Sequence, residues 1–86
     1  MPELSRFLGI SIRMYRDDHA PPHFHAYYND LEAQVTIQNA RLLRGRLPPR
    51  VLGYVIEWAT LHEAELLRAW EAAQSSQPLA KIAPLV

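Results

Sequence analysis

Apolar and polar positions alternate from Phe7 to Tyr15, where Leu8, Ile10, Ile12 and Met14 interleave with Gly9, Ser11, Arg13 and Tyr15. A period of two predicts a strand with one buried face over 7–15. From Asp17 to Pro22 the alternation stops at turn formers and two prolines, which lack a backbone donor, so a loop is expected. The aromatic-rich segment 23–28 reads as a second strand, Asn29-Asp30 as a tight turn, and 31–38 as a third strand. A turn at Asn39-Ala40-Arg41 leads to a short fourth strand over 42–47. Pro48 and Pro49 suit the first turn of a helix, and from there to Gln74 only Gly53 interrupts. Val51, Val55, Trp58, Ala59, His62, Leu66, Ala69 and Trp70 fall at helical spacing, predicting one long helix over 48–74 whose stripe covers the sheet. The tail, 78–86, is apolar for a terminus and is expected to dock on something, pairing at most briefly with a sheet edge, its own or a partner's, because of its prolines.

The simplest layer solution is a single α+β domain: a four-stranded antiparallel meander backed by one long C-terminal helix, with a short extended tail. If Leu8, Ile10, Ile12 and Met14 face the helix with Ala33, Val35 and Ile37, then Phe24, Ala26 and Tyr28 are the apolar choice of the second strand. His23, His25 and Tyr27 then project to the other face, beside Arg13, Tyr15, Glu32, Gln34 and Thr36.

With 86 residues the chain has room for one core and no second domain. A chain this short hides only about 60% of its unfolded surface, so association with a partner or as a homodimer is expected to help. Cysteine is absent, which removes disulfides, thiolate nucleophiles and thiolate metal sites together and suits a reducing cytoplasm. No basic-then-apolar leader and no membrane-length apolar run is present, so neither export nor a membrane is expected. Net charge is zero, yet residues 1–50 hold seven arginines against five acids, and residues 51–86 hold two basic residues against four acids. Arg41, Arg44, Arg46 and Arg50 fall in an acid-free stretch between Glu32 and Glu57, able to meet phosphate or an acidic partner, or simply to be solvated.

The chemical landmark is Pro21-Pro22-His23-Phe24-His25, and it admits three readings. In the first, His23 and His25 are the acid and base for cleaving a phosphodiester, with Arg13 on the phosphate and Tyr15 or Tyr27 positioning it. In the second, the two imidazoles, on one face of a strand, hold a metal completed by His19, Asp17, Glu32 or His62. In the third they are structural, hydrogen-bonded to backbone carbonyls at a sheet end. His62, inside the apolar stripe, reads first as a satisfied core histidine. The tryptophans Trp58 and Trp70 read as core.

Five segments together resemble a known family: Ile12 to Tyr15, Asp17 to His19, Pro21 to Ala26, Trp58 to His62, and Pro78 to Leu85. Their order and spacing are similar to those of the bacterial family known as domain of unknown function forty-one-sixty. The resemblance implies small proteins often encoded beside a second small gene, as in toxin–antitoxin pairs, with this chain as the toxin half. It places the family's motif residues on Arg13, Tyr15, Asp18, His19, His23, His25, Trp58 and His62, and it suggests that His62 approaches the histidine pair or the proline loop.

Together these readings predict a cytoplasmic toxin acting on RNA as a metal-independent ribonuclease, with no cofactor and no metal. Its catalytic groups would be His23, His25, Arg13 and Tyr15, its substrate-binding groups Arg44, Arg46 and Tyr27, and its supporting groups His19, Asp18 and His62. The expected partner is a small antitoxin-like protein. The rival class is a non-catalytic module that binds a partner or nucleic acid through the arginine-bearing edge and the tail, and a further alternative is a divalent-metal protein.

Overall fold

The computed structural model of the protein describes residues 2–86. Five strands, β1 (Glu3–Phe7), β2 (Ile10–Arg13), β3 (His23–Tyr28), β4 (Leu31–Thr36) and β5 (Leu42–Gly45), precede two helices, α1 (Pro49–Leu61) and α2 (Glu63–Gln74). The strands form one antiparallel sheet in sequence order, so the α+β meander is as expected while its count rises from four strands to five.

The extra strand, β1, lies mostly before the alternating segment, and the hairpin turn that joins it to β2 falls inside that segment. Leu8 and Gly9 both take positive φ, 51° and 76°, and turn the chain between Phe7 and Ile10, which face each other across β1 and β2. Two residues with positive φ match the twist of a hairpin, so the turn is tight; a bulge between Glu3 and Ser5 then sets the buried Leu4 and Phe7 three apart on β1, which hides that strand from a period-two reading. Leu8, expected in the core, is instead 49% exposed at the turn tip. The strands expected over 31–38 and 42–47 stop at Thr36 and Gly45. Beyond Thr36, Asn39 and Ala40 adopt positive φ. Gly45 does so too, against the backbone of Glu32, where a Cβ would not fit.

The expected single helix is two, broken at His62, whose φ of −119° and ψ of 26° leave the helical region. No glycine or proline marks the break. The hydrogen-bond ladder persists across it, since His62 N–H is shared by the Trp58 and Ala59 carbonyls and Leu66 N–H reaches the His62 carbonyl. Glu63 and Glu65 then occupy the first turn of α2, where acids suit the positive end of the helix dipole.

Ile10, Ile12, Phe24, Ala26, Ala33 and Val35 on one face of the sheet are fully buried, as are Val55, Trp58, Ala59 and Leu66 of the helices. The Trp58 ring lies 5.6 Å from that of Phe7 and 5.8 Å from that of Phe24, joining β1, β3 and α1 in one core. Removing either Phe24 or Trp58 would cost about 3–5 kcal/mol. The tail docks along β1: Ile82 N–H donates to the Leu4 carbonyl at 2.8 Å, the Ile82 side chain is buried, and Trp58 Nε1 donates to the Ala83 carbonyl at 2.8 Å. Among the described residues no helix is long and apolar enough to cross a membrane.

Candidate functional site

With the apolar face committed to the helices, the opposite face of the sheet collects the polar side chains. The strand pairings align Arg13 with His25, His25 with Gln34, and Gln34 with Arg44, a row running from β2 to β5. The next row pairs Ser11 with Tyr27 and Tyr27 with Glu32, and His23 faces Thr36 at the sheet's end. Side chains one strand apart in such rows lie close enough to interact.

The loop between β2 and β3 folds back over this end of the sheet and places Asp18 between the two histidines. Asp18 Oδ2 stands 3.0 Å from His23 Nε2 and 3.1 Å from His25 Nε2. On its far side the His23 ring meets the Pro21 carbonyl through Nδ1 at 2.7 Å, and the His25 ring meets Glu32 Oε2 through Nδ1 at 2.8 Å. Both imidazoles are nearly buried, at 4% and 8% exposure. The loop is itself anchored: His19 N–H donates to Asp18 Oδ1, Gln74 Nε2 donates to the Asp18 carbonyl, and Arg16 donates to the Gln77 carbonyl. The end of α2 therefore fixes the position of Asp18. Burial works to raise the Asp18 carboxyl, but the bond from His25, the His19 N–H and the neighbouring imidazoles outweigh it, so the net direction is down.

Tyr15 and Tyr27 close over His25. The Tyr15 ring packs edge-on at 4.4 Å, the Tyr27 ring stacks at 6.3 Å, and their two hydroxyls hydrogen-bond to each other. Burial, with the Tyr15 hydroxyl, pushes the Tyr27 phenol above the ordinary tyrosine range, so it stays protonated. Arg13 lies on the β1 side of this group, its Nε donating to Ser11 Oγ and its guanidinium 5.5 Å from the centre of the Tyr27 ring. On the β5 side an open cleft of about 230 Å³ is lined by Asp18, His19, Pro21, His23, Gln34 and Arg44, with Ala20 and Leu43. A slightly larger hollow of about 260 Å³ between α2 and the tail bears Glu65, Arg68 and Lys81 and no imidazole, so the chemistry belongs to the first.

Of the residues singled out from sequence, His23, His25, Asp18, Tyr15 and Tyr27 come together, and Arg44 and His19 share the adjoining cleft. Arg46, just past β5, is exposed and does not line that cleft. His62 does not join the pair: its Nδ1 meets Glu65 at 2.6 Å and its ring packs on Trp58 at 5.4 Å. Gln34 and Gln74 were not legible as site residues, since a lone glutamine carries no spacing signal. The period of the strand does put Gln34 on the histidine face. Spacing does not separate Asp17 from Asp18: the metal reading took Asp17, the resemblance took Asp18, and it is Asp18 that meets both histidines.

The sequence model described as Domain of unknown function (DUF4160) matches residues 9–71, a stretch that includes every residue of the cluster and of the cleft. Pro78 to Leu85, the last of the five similar segments, lies beyond the matched stretch. Neither a curated protein nor a solved structure matches the chain.

Proposed function

Because the chain belongs to the DUF4160 family, whose description assigns no activity, we propose a function from its own site: phosphodiester cleavage in RNA, in the cleft where His19, His23, Asp18 and Arg44 meet. The observation that carries this reading is the convergence, on one open cleft, of the Arg44 guanidinium from β5 with the exposed imidazole of His19 and the fixed carboxylate of Asp18 from the loop between β2 and β3. Arg44 supplies positive charge for the phosphate, and His19, unlike the two buried histidines, is exposed where a substrate can reach its ring. RNA brings its own nucleophile. The 2′-oxygen bonds to phosphorus as an imidazole takes its proton, and the 5′-oxygen leaves with a proton returned, giving a cyclic phosphate.

In this reading the chain is the toxin half of a cytoplasmic pair, bound and silenced by a small antitoxin-like protein. The sharper expectation, in which His23 and His25 are two independent proton shuttles, is not the form that this geometry supports, since they share one carboxylate oxygen and face little solvent. They serve better as the fixed inner wall of the cleft. A second reading, a non-catalytic binding module, is favoured by β5, all four of whose residues are exposed at a sheet edge with Leu42 and Leu43 at 44% and 42%. An exposed edge accepts a strand from a partner.

The purified chain should cut a structured RNA and leave 2′,3′-cyclic phosphate ends. His19→Ala and Arg44→Ala should each slow this by about 100-fold or more. Induced expression should arrest growth in the same rank order. A wild type that neither cuts RNA nor arrests growth removes the catalytic reading and leaves the binding module.

A further inference from the structure

The hydrogen positions around Asp18 do not close with neutral imidazoles. A carbonyl oxygen only accepts, so the 2.7 Å contact with Pro21 puts a proton on His23 Nδ1. The Glu32 carboxylate likewise puts a proton on His25 Nδ1 at 2.8 Å. In each neutral ring the other nitrogen, Nε2, then carries only a lone pair. Both lone pairs point at the same Asp18 Oδ2, from 3.0 and 3.1 Å. Lone pairs facing a carboxylate oxygen repel, and a cation placed where the three atoms converge turns that repulsion into coordination. A single divalent cation satisfies all three atoms at once.

We propose that Asp18 Oδ2, His23 Nε2 and His25 Nε2 form a binding site for a divalent transition-metal cation, with the remaining coordination positions open to the cleft. The three ligand atoms lie within 4.8 Å of one another. Ligand atoms on neighbouring vertices around a cation at about 2.1 Å stand about 3.0 to 3.4 Å apart in octahedral or tetrahedral geometry, which is the separation of both Asp18–histidine pairs. Two imidazoles and one carboxylate, without thiolate, select zinc, iron(II), manganese, cobalt or nickel over calcium and magnesium.

The surroundings are also those of a metal site. Each ligating ring donates its other nitrogen's proton outward, His23 to a backbone carbonyl and His25 to a carboxylate, the arrangement that fixes tautomer and orientation around bound metals. The Asp18 oxygen not aimed at the rings is held by the His19 N–H, and the loop is pinned through Gln74. Three protein ligands with an open side are the pattern of centres that bind an exchangeable ligand. His23 and His25, two apart on β3 after Pro21-Pro22, project from the same face of the strand, and the loop supplies the third ligand.

This inference does not depend on RNA cleavage. The full chain, stripped with a chelator and dialysed against zinc, should retain one zinc per chain by elemental analysis and melt at a higher temperature than the stripped form. Cobalt(II) should give visible absorption bands from nitrogen and oxygen ligation. Asp18→Asn, His23→Ala and His25→Ala should each lose retained metal, Glu32→Gln should weaken binding by about 10- to 100-fold, and His62→Ala should leave it unchanged. No retained metal in the wild type, or retention that survives Asp18→Asn in a folded chain, overturns the site. Metal retained by a chain that cuts no RNA leaves this proposal standing and removes the other.

Discussion

Ser11 is the middle of a polar chain that links the first hairpin to the histidine face. Its hydroxyl donates to Glu3 Oε2 at 2.5 Å and accepts from Arg13 Nε at 3.1 Å, and Glu3 also meets Arg6 at 2.7 Å. The Ser11 bond, together with Arg6, draws the Glu3 carboxyl below its ordinary value of 4.5 against the opposing effect of burial. A carboxyl depressed in the folded state contributes stability that is fully present above its unfolded value and is lost as pH falls through the folded one. The Ser11→Ala variant should therefore be less stable than wild type by about 1 kcal/mol at pH 7. The gap should narrow below about pH 4, as protonation removes the wild type's advantage. Urea titrations across pH measure it directly, and a constant gap down to pH 2 would assign the effect to packing instead. At this scale the sequence was informative wherever side-chain direction follows from period: His23, His25, Tyr27, Glu32 and Gln34 all lie on the face that alternation predicts. In the loop no period decides which acid turns inward, and Asp18 stood among the candidates only through the family resemblance.

At the scale of elements, both departures from expectation arise where the chain changes course without its usual markers. The β1–β2 turn uses Leu8 at a φ of 51°, a conformation in which a Cβ is strained and for which asparagine and glycine are the common choices. Leu8 also spoils the signal, because an apolar residue in phase with Ile10 and Ile12 reads as one more core position. Leu8→Asn should stabilise the hairpin by about 0.5–1 kcal/mol, since the replaced side chain is half exposed and the new one tolerates the left-handed region. A lower melting temperature for this variant would show that Leu8 packs in a way that outweighs its backbone strain. The opposite case is Gly45, where the left-handed conformation and the closeness of the Glu32 backbone both require glycine and the sequence duly places one. At His62 the residues keep helical periodicity through the break, so period alone reads one helix. The only sequence sign of a restart is the pair of acids, Glu63 and Glu65, in the first turn of α2.

At the scale of the molecule, a core this small is completed by the last nine residues. Ile82 is 5% exposed, its N–H closes on Leu4 of the edge strand, and the Ala83 carbonyl takes the indole proton of fully buried Trp58. A chain ending at Gln77 loses that burial and strands a buried donor, at a cost of about 2–4 kcal/mol. That is a large share of the roughly 5–10 kcal/mol such a domain possesses, and it should lower the melting temperature by more than about 10 °C. The contacts that hold the Asp18 loop, from Gln74 and the Gln77 carbonyl, precede the cut, so the loss is one of stability and not of site geometry. Trp58→Phe, made in both lengths, separates the two contributions. In the full chain it removes a satisfied hydrogen bond, whereas in the short chain it removes an orphaned donor, so the substitution should cost about 1 kcal/mol less in the short chain. Equal costs in the two backgrounds would mean that the indole finds another partner once the tail is gone, and the tail's contribution would then reduce to the burial of Ile82 and its neighbours.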